Sequence, residues 1–133
     1  MTRDTVTDGK RIGQLLSSEI HGHQRGALGE LAVVDAEKDV EPTADGAFAY
    51  AVELENEDGD RIASAYVQPD RLRVEFEVGA ETALSVADRV GVRARPKAVE
   101  PPRTIVFVEN GGEVKTVLGV IRAVVEERLE TGG

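Results

Sequence analysis

The residues whose types and spacing could do chemistry are gathered among prolines. Between positions 89 and 103 stand Arg89, Arg93, Arg95, Lys97 and Arg103 against a single acid, Glu100, five cations less one anion, or +4. The whole chain carries −9, which leaves −13 on all the other residues. Guanidinium groups on an extended segment can grip a phosphate or a carboxylate through two parallel hydrogen bonds. These five cations are therefore the candidate site for a small anion or a partner protein. The competing reading is that they pair with the protein's own carboxylates or with another subunit. Nucleic acid ranks last, because few aromatic residues lie nearby to stack bases and an acidic body repels a phosphate backbone.

Other constellations are weaker. Gly111-Gly112 joins a predicted strand to a predicted helix, as a phosphate-binding turn would. The glycine spacing of a nucleotide loop is missing and Glu109 and Glu113 flank the turn, so it reads as a tight connection. His21 and His23, the only histidines, could meet a metal together with Glu19 if the segment were extended. No cysteine or further histidine completes that set, and a histidine at the C-terminal dipole of a helix is the simpler account. Glu19 itself reads as partly exposed in the last turn. Asp35 ends a predicted strand, a common place for a catalytic acid in α/β enzymes, but nothing nearby in sequence pairs with it. Ser64 lacks the G-x-S-x-G elbow of a serine hydrolase. Glu75 and Glu77 are spaced like paired acids, yet Arg71 and Arg73 share their face, which reads as a solvated strand face. No catalytic residue, metal site or cofactor is assigned.

Composition narrows the classes further. The absence of cysteine excludes thiol chemistry, disulfides and cysteine-based zinc sites. No apolar run approaches the ~20 residues of a membrane span, and MTRDTVTDGK lacks a signal-peptide pattern, so a soluble, cytoplasmic protein is expected. Asp and Glu number 25 against 16 Lys and Arg, with 12 arginines to 4 lysines, 19 valines to 5 isoleucines and 4% aromatics. This balance suits a very salty cytoplasm, where near 1 M salt the Debye length falls to about 3 Å and acidic self-repulsion is screened. An ordinary acidic bacterial protein is the alternative.

The element that must position the basic segment follows it directly. Residues 104–129, TIVFVENGGEVKTVLGVIRAVVEERL, read as an apolar strand, a glycine turn and a long helix. At about 100° per residue, Val114, Val117, Leu118, Val120, Ile121, Val124, Val125 and Leu129 fall in an arc of about 180°. A surface helix needs only about 100°, so either two elements cover this arc or part of it meets a second subunit. A homodimer through part of helix 111–129 is therefore expected. Asn110 is a good N-cap, and Glu113 can reach back to it as in a capping box.

Earlier in the chain, Thr7 and Asp8 can cap a helix over about 8–20, with Ile12, Leu15, Leu16 and Ile20 on one face and Gly22 as its stop. Residues 23–29 read as a loop, 30–35 as a strand and 36–46 as a surface connection. From 47 the period is two. Phe48, Tyr50, Val52 and Leu54 form a large-residue face, the acidic loop 55–60 closes on Asp58-Gly59, and strands follow over 62–68 and 71–78. Leu72, Val74, Phe76 and Val78 point inward, with Arg71, Arg73, Glu75 and Glu77 outward. A second helix runs from Gly79 to Gly91. Pro96, Pro101 and Pro102 leave 92–103 extended or irregular, without a helix or a central strand. One domain over 1–133 is expected, of α+β class. Its architecture is a two-layer sandwich with a mixed, mainly antiparallel sheet and helices packed on one face.

The runs VQPDR (67–71) and VRARPKAVEPPRTIVFVENG (92–111) resemble a small family of haloarchaeal proteins with no assigned activity. The resemblance covers nearly the whole chain and implies a halophilic single domain. It carries over no functional residue. The reading that follows is a non-enzymatic binding or interaction module using residues 89–103. A small enzyme or sensor for an anionic metabolite is the alternative, and nucleic-acid binding comes third.

Overall fold

In the computed structural model, which describes residues 6–23, 25–55 and 59–130, caps and periodicity become three helices and six strands. Asp8 accepts a hydrogen bond from the Arg11 amide at 3.2 Å and opens α1, Gly9–Gly22. Ile12, Leu16 and Ile20 on its inner face are buried and Leu15 is partly so. Its start abuts the turn between the third and fourth strands, and a Cβ on Gly9 would lie 1.9 Å from the Gln68 carbonyl oxygen. A short 3-10 turn, Gly26–Glu30, stands in the stretch read as a loop and takes in Glu30, which was expected to start the next strand.

The strands are β1 (Leu31–Val34), β2 (Ala47–Leu54), β3 (Arg61–Val67), β4 (Leu72–Phe76), β5 (Ala94–Lys97) and β6 (Arg103–Val108). Helix α2 (Ala80–Val90) lies between β4 and β5 and ends on Gly91 at φ 83°, and α3 (Val114–Glu130) closes the order. The sheet order is β1-β2-β3-β4-β6-β5, and every pairing is antiparallel. This is the expected α+β class, without the parallel pair that a mixed sheet would contain. The reason is β5. Residues 94–97 form an edge strand that tolerates Pro96, and the turn over 98–102 reverses the chain so that β6 runs antiparallel to both neighbours.

One face of this sheet meets the helices. Tyr50, Val52, Ala63, Ala65, Val67, Leu72, Val74, Phe76, Val106 and Val108 join residues of all three helices in one buried cluster. The large-residue face expected of β2 is broken by an irregularity between Phe48 and Tyr50. Phe48 pairs with Tyr66 and Tyr50 with Ala65, so Phe48 leaves the helix side and meets the Tyr66 ring edge-on at 5.9 Å. A bulge inserts one residue and flips the faces beyond it, which a strict period of two cannot show. The closing residue Asp58 of the expected 55–60 hairpin loop lies outside the described residues.

Val114, Val117, Leu118, Val120, Ile121, Val124 and Val125 of α3 are all buried. Both α1 and α2 pack against this helix, so the breadth of its apolar arc is matched by neighbours within the chain. Leu129, 45% exposed, is the part of the arc left open. At its start the Asn110 side chain accepts from the Glu113 amide at 3.1 Å. Glu113 in return accepts from the Glu109 amide at 2.9 Å, one residue before the cap, because a 3-10 turn (Gly111–Glu113) precedes the α-helix. No helix among the described residues is long and apolar enough to cross a membrane.

Candidate functional site

Strand alternation that sends Leu72, Val74 and Phe76 to the helices leaves Arg73 and Glu75 on the other face of the sheet, where no helix packs among the described residues. That face is nevertheless dry in its centre. Ile105 is 2%, Phe107 3%, Ser64 2% and Glu75 1% exposed. Cationic side chains provide the cover, with Arg71 over Phe107 and Arg73, Lys97 and Arg103 converging on Glu75.

Glu75 is the hub of these cations. Its carboxylate accepts from Arg103 at 2.7 Å, from Lys97 at 3.0 and 3.2 Å, and from Arg73 at 3.3 Å. Burial alone would push the Glu75 carboxyl up, but the hydrogen bonds and positive charge of Arg103 and Lys97 hold it below the usual carboxylate range. Arg103 also lies 3.7 Å from Glu77, which accepts the Ser64 hydroxyl at 2.6 Å. The cluster ties β4 to β5 and β6 by charge. Glu75 is therefore not part of a solvated face. The β4–β6–β5 order brings Lys97 and Arg103 over it from positions 22 and 28 residues away.

A second group lies at the other end of the same strands. The Arg71 guanidinium sits over the Phe107 ring at 4.0 Å, and Arg95 approaches the same ring at 5.9 Å. Arg71 and Arg93 both point at one oxygen of Glu109, at 3.5 and 3.3 Å. With Ala94, these three arginines and Phe107 line a cleft of about 320 Å³. Among the described residues Arg95 makes no ion pair, and Glu109 is 37% exposed.

The five cations singled out from the sequence thus divide three ways. Lys97 and Arg103 are engaged by Glu75, Arg93 and Arg95 line the cleft, and Arg89 is exposed in the last turn of α2, outside it. Arg71, Phe107 and Glu109 were missed as members of the group. They join it only through the pairing of Leu72 with Val108 across β4 and β6.

The other candidates have structural occupations. His23 lies 3.1 Å from Glu19, and no group of three or more metal-binding side chains forms among the described residues. Asp35, with φ at 54°, accepts from Arg61 at 2.8 Å. Gly111 is buried and its amide donates to the Val6 carbonyl at 2.9 Å. Tyr50 donates to the Gly13 carbonyl at 2.7 Å, and burial pushes its phenol well above the usual range.

No curated protein and no solved structure matches the chain. A family model does, over residues 1–132, and on that match the chain belongs to a family of unknown function (DUF7993).

Proposed function

We propose that this chain is a non-enzymatic binding module that takes a carboxylate-bearing partner on the uncovered face of its sheet. The observation that carries this reading is a cleft lined by Arg71, Arg93 and Arg95, in which Arg95 has no ion pair among the described residues, while Arg71 and Arg93 share the Glu109 carboxylate beside it. Both contacts to Glu109 are long for charge-assisted bonds, at 3.5 and 3.3 Å, so a carboxylate entering the cleft can compete for the same guanidinium groups. The fit is to an acidic segment of another protein, with a small anionic metabolite as the alternative occupant. Nucleic acid is disfavoured because Phe107 is capped by Arg71 and offers no free face for a base.

The test is a fluorescence-anisotropy titration with a fluorescein-labelled peptide rich in Asp and Glu, with inorganic pyrophosphate as competitor. Saturable binding that disappears in the double variant R93A/R95A, with unfolding unchanged, supports the proposal. Binding that survives in that variant, or preference for a labelled single-stranded oligonucleotide over the peptide, contradicts it.

The acid-rich, arginine-rich composition further supports a very salty cytoplasm as the habitat, and the resemblance of residues 67–71 and 92–111 makes a haloarchaeal source the expected one. A homodimer through residues 111–129 would have its contact at the Leu129 end, among Glu126, Glu127 and Glu130, because the rest of the arc is buried. Such a contact needs charge screening. Doubled mass by light scattering at molar salt but not at low salt supports it, and a single-chain mass at both removes it.

A further inference from the structure

We infer that a second cavity, between α1 and the connection from β1 to β2, binds a small organic acid with an apolar body. Neighbouring antiparallel strands are usually joined by 2–5 residues, but β1 and β2 are joined by residues 35–46. The extra chain is not loose. Glu37 N donates to the Ala49 carbonyl at 2.7 Å, Thr43 N to the Val67 carbonyl at 3.3 Å, and the Gln68 side chain to the Ala44 carbonyl at 2.6 Å. Val40 packs against the core between these anchors. The connection therefore forms one fixed wall and α1 the other, around a cavity of about 330 Å³. That volume is at the small end of the roughly 300–1,000 Å³ typical of ligand sites.

The lining has two characters. Tyr50, Val67, Ala49 and Val40 supply an apolar floor, while Lys10, Gln14, Ser17 and Lys38 supply polar groups. The chain has only 4 lysines, and two of them flank this one cavity. Neither makes an ion pair among the described residues, so two ammonium groups stand ready over an apolar floor. Glu37 also lines the cavity and leaves the mouth with one net positive charge. An apolar floor with a cationic mouth complements a medium-chain or aromatic monocarboxylate, the acid at the lysines and the carbon body on Tyr50 and Val67. This site is separate from the arginine cleft and shares no lining residue with it.

Calorimetric titration with octanoate, octan-1-ol and octylamine tests the inference. Octanoate is expected to bind one per chain, the alcohol about tenfold more weakly or worse for want of the charge contact, and the amine not at all. Ser17→Trp, which fills the cavity from the half-buried face of α1, abolishes octanoate binding. The double variant K10A/K38A lowers it to the level of the alcohol while leaving the fold intact. Failure of octanoate to bind the wild type, equal binding to Ser17→Trp, or binding of octylamine as tight as that of octanoate each overturns the site.

Discussion

Glu75→Gln keeps the shape of the side chain and removes its charge from the centre of the sheet face. The carboxylate is 1% exposed and receives Arg103, Lys97 and Arg73 at 2.7, 3.0 and 3.3 Å. Each hydrogen bond to a charged group is worth about 1.5–3 kcal/mol net, but simple addition would overshoot. The Lys97 and Arg103 side chains are 36% and 34% exposed, so both can turn to water when the charge goes. Arg73 keeps its bond to the Asp45 carbonyl, and glutamine keeps one acceptor oxygen. A loss of about 3 kcal/mol is expected, at the lower edge of the cost of breaking a buried pair. For a domain of this size that is a fall in Tm of about 10 °C. In urea the midpoint should fall with an unchanged slope.

The pH dependence has a definite sign. The folded pKa of Glu75 lies below its unfolded value, so the stabilisation is full above the unfolded value of about 4.3 and fades as pH falls through the folded one. The gap between wild type and variant should be widest near neutrality and narrow in acid. Glu77→Gln is the comparator, since Glu77 is 21% exposed and should cost clearly less. A Glu75→Gln protein within about 0.5 kcal/mol of wild type, the scatter of ordinary surface changes, would refute the reasoning. So would a gap that stays constant down to acid pH.

Three further outcomes are expected. Gly9→Ala, a change that favours many helices, should cost about 3 kcal/mol because its Cβ would meet the backbone of Gln68 and Arg71 at 1.9 and 2.5 Å; equal or greater stability in thermal melts followed by circular dichroism contradicts that packing. Tyr50→Phe should cost about 1 kcal/mol by removing the buried hydrogen bond to Gly13, read by urea denaturation, with no loss marking the bond as idle. The Tm of the wild type should climb steeply from low to molar KCl, and a flat dependence would leave the salt-adapted reading without support.

Much of the fold was legible because its signals are local. Asp8, Asn110, Gly91 and the apolar arc of α3 act within a few residues of themselves, and the elements they mark stand where their spacing put them. The bulge after Phe48 was not legible, because both sides of it still alternate. The strand β5 was hidden by its own Pro96 and by Pro101 and Pro102 after it, which exclude a central position but not an edge. Missing β5 also meant missing the chain reversal that makes the sheet wholly antiparallel. The basic segment was visible as a charge anomaly, but its internal division was not. Whether Lys97 faces solvent or Glu75 depends on which strand lies beside β5, and sequence spacing contains no record of that. Arg71 and Phe107 are invisible as partners for the same reason.

The proposal that the sheet face binds a carboxylate is tested most directly by a ¹⁵N–¹H correlation titration of the full chain with the Asp- and Glu-rich peptide. Progressive shifts are predicted at the amides of Arg71, Arg93, Ala94, Arg95, Phe107 and Glu109, with α1 and α3 unmoved. No saturable shift, or shifts centred on the helices, would contradict it.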